Sequence, residues 1–187
     1  MDKRERIYEK ALSLFVEAGY DHTPMSRLAR ELNLTKAGLY HYFGSKEELL
    51  YLIHEYYLQK DFIPIVEAAE RLSNPEERIA YFLRNYTRAV TTGAGRVLVH
   101  EVKRLEPEHW RKITQVWKRA YELIRGAVVE MAESGKGKRL NPAYATFAAI
   151  GMASWVHYWF DYSRKESAGE LAETLVEIFF DGLRSRD

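Results

Sequence analysis

Cationic, tyrosine and small side chains cluster in residues 23–46, and their chemistry suits contact with nucleic-acid phosphates. The segment holds four basic residues against one acid, a net charge of +3. Basic side chains neutralise phosphates, and tyrosine hydroxyls bind phosphate oxygens, which positions a protein on DNA without reading its sequence. Small residues let the backbone approach a groove, and an alanine methyl can touch a thymine methyl. The candidate DNA-contacting residues are Lys36, Ala37, Gly38, Tyr40, His41, Tyr42 and Lys46.

Two short helices joined by a tight turn must position these side chains. Thr23 is placed to cap the first helix, with Pro24 at its first helical position. Asn33 follows that helix and tolerates the left-handed conformation of a turn. Thr35 then caps a second helix that runs to about Tyr42. This is the pattern of a helix-turn-helix unit, whose second helix enters the major groove, so the sequence predicts a DNA-binding protein.

The second helix separates an inner from an outer face. Leu39 and Phe43 are four residues apart and are expected to face inward, which turns Lys36 and Tyr40 outward. Ser45 is predicted to begin a further helix, with Glu48 three residues on completing a capping box. The N-terminus of that helix, with Lys46 in its first turn, is a predicted phosphate site.

The charge of the N-terminal segment is local. Residues 1–50 hold eight basic and eight acidic side chains, so the segment as a whole is neutral. The alternative reading of the +3 window is a set of solvated helix faces. Because affinity for DNA rises with the number of phosphates neutralised, a monomer of this charge would bind weakly. We therefore expect the protein to work as a homodimer on double-stranded operator DNA.

Residues 5–52 resemble the N-terminal region of the tetracycline-repressor (TetR) family of transcriptional regulators. The resemblance implies that Lys36 contacts bases, and that Tyr40, Tyr42 and Lys46 contact mainly phosphates. It also implies phosphate contacts at two helix starts, Thr23 and Thr35. The family usually has glycine where this chain has Asn33, a change that keeps the turn geometry. The resemblance is carried by Ile7, Ala11, Leu14, Phe15, Gly19-Tyr20, Thr23, Leu28-Ala29, Leu34, the Leu39–Phe43 run, Lys46-Glu47 and Leu49.

Composition narrows the class of protein further. The chain has 187 residues, a net charge of +1 and no cysteine, which excludes disulfides and thiol nucleophiles. No apolar run approaches the length needed to cross a bilayer, and no signal peptide precedes the first helix, so we expect a cytoplasmic protein without membrane contact. The six histidines are scattered and no nucleophile–base set stands out. We therefore predict no metal site, no cofactor and no enzymatic activity; a helical scaffold for partner proteins is the remaining alternative.

The rest of the chain predicts an all-α fold of about nine helices. A helix-turn-helix domain at 1–46 would precede a ligand-binding and dimerisation domain at 47–187. Proline and glycine signals place Gly93–Gly95 and Ser134–Gly137 at breaks. Pro64 is expected to kink the fourth helix after Phe62. The predicted helices after the third are 46–72, 75–92, 96–105, 107–133, 142–163 and 167–184.

Aromatic residues are frequent in the second domain, where they form either ordinary core or the wall of a ligand pocket. The family resemblance implies a small effector that releases DNA. The C-terminal segment is similar to acyl-CoA-responsive members, so fatty acyl-CoA is the first expectation and a hydrophobic or aromatic xenobiotic the second. Basic side chains near the seventh helix could meet CoA phosphates or simply be solvated: Lys103, Arg104, Arg111, Lys112, Lys118 and Arg119. The candidate ligand-binding residues are Phe62, Trp110, Trp117, Tyr121, Phe147, Trp155 and Trp159.

The last two predicted helices carry wide apolar faces. Pairing two such helices from each subunit would form a four-helix bundle. The alternative is packing within one subunit. The faces consist of Phe147, Ile150, Ser154, Tyr158 and Tyr162 on one helix, and Leu171, Leu175, Ile178, Phe179 and Gly182 on the other.

Overall fold

The computed structural model describes residues 3–161 and 167–184, and over these residues the chain is all-α, as predicted. The fourth helix, α4, runs from Lys46–Tyr57 through a π-helical turn at Leu58–Phe62 into Ile63–Glu70. The nine helices of the described ranges are α1 (Lys3–Ala18), α2 (Met25–Glu31), α3 (Lys36–Tyr42), α4, α5 (Pro75–Val90), α6 (Gly93–Glu101), α7 (Pro107–Glu133), α8 (Pro142–Trp155) and α9 (Ser167–Leu183).

The irregularity in α4 lies directly before Pro64, where the sequence predicts a kink. A proline inside a helix has no N–H and its ring collides with the carbonyl four residues earlier, here that of Lys60. A wider turn relieves this collision: the N–H of Ile63 donates to the carbonyl of Leu58, five residues back. The helix therefore continues past the proline at the cost of one π turn.

Local signals set the start of α3 and α4 as the sequence predicts. Asn33 has a φ of 53°, and the Thr35 hydroxyl accepts from the N–H of Gly38 at 2.9 Å. The Ser45 hydroxyl accepts from the N–H of Glu48 at 2.9 Å. The Glu48 carboxylate reaches back one residue further than a capping box requires and accepts from the N–H of Gly44 at 2.8 Å.

The predicted cap of α2 is wrong. Thr23 is fully buried, and its hydroxyl donates to the carbonyls of Gly19 (2.8 Å) and Leu14 (3.3 Å). Its side chain thus closes the end of α1, and Pro24 takes the capping position without a side-chain hydrogen bond. The Thr23 hydroxyl also lies away from any surface that DNA could reach.

The predicted break at Gly93–Gly95 is also wrong, because these residues form the first turn of α6. The Thr92 hydroxyl accepts from the N–H of Gly95 at 2.8 Å and caps the helix. A Cβ on Gly95 would lie 2.2 Å from the carbonyl oxygen of Ala89, so glycine is needed for the close approach to the end of α5. Gly95 thus lies where the start of α6 packs closely against the end of α5, and not in a loop.

Helix α8 ends earlier than predicted, at Trp155. A 3₁₀ turn at Val156–Tyr158 follows, and the Nδ1–H of His157 donates to the carbonyl of Ser154. This turn buries Val156 and Phe160 in the core. The chain leaves the helical path because both apolar side chains gain burial by doing so.

Two hydrophobic clusters divide the core. One joins α1–α3 with the first half of α4 and takes in Val97, Leu105 and Ile113 from the later helices. The other is formed by the second half of α4 and helices α5 and α7–α9. Helix α4 thus belongs to both clusters. Among the described residues, no helix is both long and apolar enough to span a membrane.

Candidate DNA-binding surface and ligand cavity

Helix α3 presents the outer face that its sequence predicts. Leu39 and Phe43 are fully buried, whereas Lys36 and His41 are exposed and Tyr40 is 41 % exposed. A Cβ on Gly38 would lie 3.0 Å from the Thr35 hydroxyl, so this glycine also makes room for the cap of the helix. The arrangement holds a short, rigid helix with its polar side chains outward.

The cationic groups around α3 differ in how freely they can meet a phosphate. Arg27 pairs with Glu17 at 3.5 Å, whereas Arg30 and Lys36 form no ion pair with any described residue. Lys3, at the start of α1, donates from Nζ to the hydroxyl of Tyr42 at 3.0 Å. Sequence reasoning missed Lys3, because 39 residues separate it from Tyr42 and no local pattern links them.

Lys46 has an internal role that the sequence does not reveal. Its Nζ donates to the carbonyl of Tyr20 and lies 4.1 Å from the centre of the Tyr20 ring. Partial burial lowers the pKa of the Lys46 ammonium from its usual value. Any phosphate at this helix start would have to share an ammonium that already ties α4 to the end of α1.

A cavity of about 370 Å³ lies between α4, α5, α6, α7 and α8, within the size range of small-molecule sites. Phe62, Trp110 and Trp117 line it, as the sequence predicts. Two lining groups that sequence reasoning missed are Tyr86 and Ser154. Its other lining residues are His54, Tyr57, Leu58, Asp61, Ala89, Val90, Thr92, Ala94, Gly95, Leu98, Val99, Val102, Ile113, Thr114 and Ile150.

Four predicted ligand-binding residues do not line this cavity: Tyr121, Phe147, Trp155 and Trp159. Their placement on its wall is wrong, because α8 turns small residues such as Ala149 and Ala153 inward and its large aromatic residues outward. Phe147, Trp155 and Trp159 are more than half exposed. Tyr121 packs against the Phe147 ring, with 5.2 Å between the ring centroids.

These outward aromatic residues form a continuous stripe, the α8 face, which consists of Tyr144, Phe147, Gly151, Trp155, Tyr158 and Trp159. Ile178 and Gly182 of α9 are also exposed. Five other residues of the predicted dimer faces lie elsewhere: Phe179 is buried in the core, Leu171 and Leu175 pack against that core, and Ile150 and Ser154 line the cavity. Tyr162 lies outside the described residues. An exposed apolar stripe of this size is typical of a protein–protein contact.

His54 is a buried polar group on the cavity wall. Its Nδ1 and Nε2 each lie 2.8 Å from a carbonyl oxygen, that of Leu50 in α4 and that of Leu98 in α6. Carbonyls only accept, so the neutral ring can donate to one of the two and only the doubly protonated ring to both. Burial nevertheless lowers the pKa of His54, because desolvation of the charged ring outweighs the two carbonyls.

The charged side chains on and near the cavity wall differ in whether they already form an ion pair. Asp61, the one acid among the lining residues, is exposed at the open side, and partial burial raises the pKa of its carboxyl. Among the residues that the structure describes, no lysine or arginine lines the cavity. Of the six basic side chains considered for CoA phosphates, Arg104, Lys112 and Arg119 pair with acids. Lys103, Arg111 and Lys118 form no ion pair with a described residue.

Helix α7 is anchored on α4 at its first turn. The His109 ring stacks on the Tyr51 ring, with 3.8 Å between centroids and 3° between planes. The backbone N–H of Glu106 donates to the Glu47 carboxylate at 2.8 Å. The first turn of α4 thus lies against helices α1–α3, the candidate DNA-binding segment, on one side and against α7 on the other.

The described residues contain no group of three or more histidine, aspartate or glutamate side chains suited to a metal ion. The arrangement of the site is that of two binding surfaces, an exposed cationic helix and an apolar cavity, joined by α4.

Comparisons with known proteins agree with this arrangement. A family model described as bacterial regulatory proteins of the tetR family matches residues 7–51. A second, described as tetracyclin repressor-like, C-terminal domain, matches residues 72–183. Both are families of transcriptional regulators and not of enzymes, as expected from the sequence.

Solved structures resemble the chain over nearly its whole length. The TetR family regulator PfmR from Thermus thermophilus is 32% identical, with a TM-score of 0.86 over 96% of this chain and 100% of its own. AibR in complex with isovaleryl coenzyme A and operator DNA is 26% identical, with a TM-score of 0.87 over 96% and 98%. The HTH-type regulator YuxN of Bacillus subtilis is 38% identical over 80 residues; the match covers 43% of this chain but only 27% of YuxN.

Proposed function

Because this chain belongs to the TetR family of transcriptional regulators, we propose that it is a repressor controlled by a small apolar effector. It would bind a palindromic operator as a homodimer and leave the DNA when the effector fills the cavity. One observation carries this proposal: α4 contributes Leu58, Asp61 and Phe62 to the cavity wall, and its first turn packs with the DNA-binding segment. A ligand that shifts α4 would move the DNA-binding surface.

The DNA-contacting residues of the proposal are those exposed on and beside α3. Lys36 would read bases, and Tyr40, His41 and Tyr42 would meet bases or phosphates near it, with Ala37 and Gly38 allowing close approach. Thr35 would offer a phosphate contact at the helix start. Lys46 would attract a phosphate through its ammonium, which also donates to the Tyr20 carbonyl. The Thr23 side chain is not part of this set, because its hydroxyl is buried.

Homodimerisation is supported by the α8 face and by charge. The stripe of exposed aromatic residues is suited to packing against a second copy of itself, with Gly151 allowing a close crossing. The N-terminal 50 residues are neutral overall, so two DNA-binding segments would be needed for useful affinity. Two such segments would meet half-sites about one helical turn or more apart.

The first candidate effector is an acyl-CoA. The similarity to AibR, whose structure contains isovaleryl coenzyme A, supports it. The acyl group would occupy the apolar cavity, and the CoA phosphates would remain outside, because none of the described wall residues is a lysine or an arginine. Lys103, Arg111 and Lys118, which form no ion pair with a described residue, would be available to meet these phosphates.

The second candidate effector is a hydrophobic or aromatic xenobiotic, in which case the regulated genes would serve efflux or detoxification. The aromatic wall of Phe62, Trp110 and Trp117 favours this alternative, because it offers flat apolar surfaces for stacking.

Gel shifts with DNA fragments that flank the protein's own gene test the proposal. We expect a salt-sensitive complex with two subunits per site, which octanoyl-CoA or isovaleryl-CoA dissociates and free CoA does not. Absence of any salt-sensitive complex would contradict DNA binding. A complex that resists both acyl-CoAs but dissociates with an aromatic compound would favour the second effector class.

A further inference from the structure

The cavity wall contains a pair of hydroxyl groups that are hydrogen-bonded to each other. The Tyr86 hydroxyl of α5 lies 2.9 Å from the Ser154 hydroxyl of α8, and both residues line the cavity. Tyr86 is only 2 % exposed, and its ring packs against Phe62 and Trp117 at centroid distances of 5.7 and 5.4 Å. The pair therefore lies in an aromatic, buried part of the wall.

The pair of hydroxyls has one O–H that is not used in the hydrogen bond between them. Each hydroxyl carries one O–H, and the hydrogen bond between them uses one of the two. Neither hydroxyl forms a second hydrogen bond with any described residue. The phenol is the stronger donor, so Tyr86 donates to Ser154 and the Ser154 O–H is left over. Burial raises the pKa of Tyr86 further, so the phenol keeps its proton.

Other hydroxyls on the same wall differ, because their protons are already in use. The Thr114 hydroxyl donates to the carbonyl of Arg111 at 2.9 Å, and the Thr92 hydroxyl donates to the carbonyl of Ala89 at 2.8 Å. Ser154 is half-buried and lines the cavity, so a ligand that displaces water there without offering an acceptor leaves its O–H unpaired, and a ligand that supplies an acceptor gains affinity.

We propose that the effector carries a carbonyl or hydroxyl oxygen on an otherwise apolar body, and that this oxygen accepts the spare O–H of the Tyr86–Ser154 pair. The proposal rests on the cavity being the effector site of the regulator proposed above. It narrows the effector class: a ligand that places only methylene and methyl groups against the pair leaves the O–H without an acceptor, whereas an oxo- or hydroxy-substituted acyl group or a cyclic ketone that places its oxygen there satisfies it.

A pair of probes with one carbon skeleton tests this. 1-Tetralone and tetralin differ by one carbonyl oxygen, and their dissociation constants can be measured by following the indole N–H signals of the full-length protein by NMR. Trp110 and Trp117 line the cavity, whereas Trp155 and Trp159 are exposed on the α8 face and report on binding elsewhere. We expect both probes to shift the first two signals.

The double variant Tyr86→Phe/Ser154→Ala removes both O–H groups. We expect it to weaken 1-tetralone binding by about fivefold, the value of one hydrogen bond, and tetralin binding by less than about twofold. Each single variant keeps one O–H and should lose less than the double variant. Thr174→Val is the control, because it removes an exposed hydroxyl of α9 that lies outside the cavity and already donates to the carbonyl of Glu170, and it should leave both affinities unchanged.

Equal losses for the two probes, or shifts confined to Trp155 and Trp159, would overturn the proposal. If the double variant does not fold, the infrared carbonyl band of 1-tetralone bound to the wild type decides. A band below its position in cyclohexane supports the hydrogen bond, and an unshifted band excludes it. Operator binding measured on the same preparation separates the proposed function from the proposed role of the hydroxyl pair. Probe selectivity without DNA binding would contradict the proposed regulator but not the role of the pair. DNA binding without probe selectivity would contradict the role of the pair but not the regulator.

Discussion

The ring of His109 donates from Nδ1 to the carboxylate of Glu47, with 3.1 Å between Nδ1 and Oε1. Both side chains are more than three-quarters buried at this contact. The bond joins the first turn of α7 to the first turn of α4, one residue from Lys46. Glu47 also accepts from the backbone of Glu106, so one carboxylate caps α7 and holds α4 beside it.

This contact predicts that Glu47→Ala weakens communication between the cavity and the DNA. Effectors typically change the affinity at a second site by about 5- to 150-fold. We expect the ratio of operator dissociation constants with and without octanoyl-CoA to fall below about fivefold in Glu47→Ala. Fluorescence anisotropy on labelled operator measures it. Glu122→Ala is the control, since Glu122 lies further along α7 and pairs with Arg125 of the same helix. An unchanged ratio in Glu47→Ala would show that the contact is structural only.

The exposed face of α3 predicts two different losses on DNA. Lys36→Ala should weaken binding to the operator by at least about fivefold more than binding to scrambled DNA, because a base contact is lost. Tyr40→Phe should weaken both by a similar factor, because a phosphate contact carries no sequence information. Anisotropy titrations on the two DNAs, repeated at several salt concentrations, make the comparison. A uniform loss for Lys36→Ala would remove its base-reading role.

The α8 face predicts a dimer that a single charge disrupts. Phe147→Glu places a carboxylate at the centre of the aromatic stripe, and truncating or charging a central interface residue commonly costs about 2 kcal/mol or more. We expect the dimer dissociation constant to rise about 30-fold or more, and operator binding to weaken with it. Sedimentation over a concentration series measures this. Gln115→Glu adds the same charge at an exposed position of α7 and should leave the dimer intact; a dimer that survives Phe147→Glu would place the interface elsewhere.

His54 predicts a loss of stability on mild acidification. Burial lowers its pKa in the folded protein below the usual 6.5, so above pH 6.5 the ring is neutral in both states. Between pH 6.5 and the lower folded pKa only the unfolded chain takes up the proton. As the pH is lowered through this window, the free energy of unfolding should therefore decrease by up to about 1.4 kcal/mol per pH unit because of this group.

Urea unfolding between about pH 7.5 and 5.5 measures this slope. The variant His54→Leu should be less stable at the upper end of that range, because a buried hydrogen bond is lost, but its stability should fall less steeply on acidification. Parallel slopes for the two proteins would mean that the ring does not titrate as its burial implies.

The features that sequence predicts correctly are those set within a few residues. Asn33, Thr35 and Ser45 act on backbone groups at most three positions away, so their turn and caps follow from residue type alone. Pro64 likewise disturbs the helix over the turn before it. Thr23 fails the same reasoning because the carbonyls of Gly19 and Leu14 compete for its hydroxyl, and burial decides the outcome.

The cavity could be predicted only in part, because its wall comes from five helices. Phe62 and Trp117 face it, but the spacing of aromatic residues along α8 does not say which face of the helix is inward. In the structure the small residues Ala149 and Ala153 pack inside, which leaves Phe147 and Trp155 outside. Both faces of this helix are apolar, so hydrophobic periodicity does not separate them, and the partners available to each face determine which one is buried.

The π turn at Leu58–Phe62 has a consequence for the length of α4. Each residue of an α-helix advances the chain by about 100° around the helix axis. Inserting or deleting one residue within this turn would therefore tend to rotate the helices before it by about 100° relative to the cavity. Those helices also pack against Val97, Leu105 and Ile113, and Glu47 is hydrogen-bonded to His109, so the rotation would break both sets of contacts. The number of residues in the turn is thus fixed from both sides, by the cavity wall that the turn helps to form and by the packing of α1–α3 against the later part of the chain.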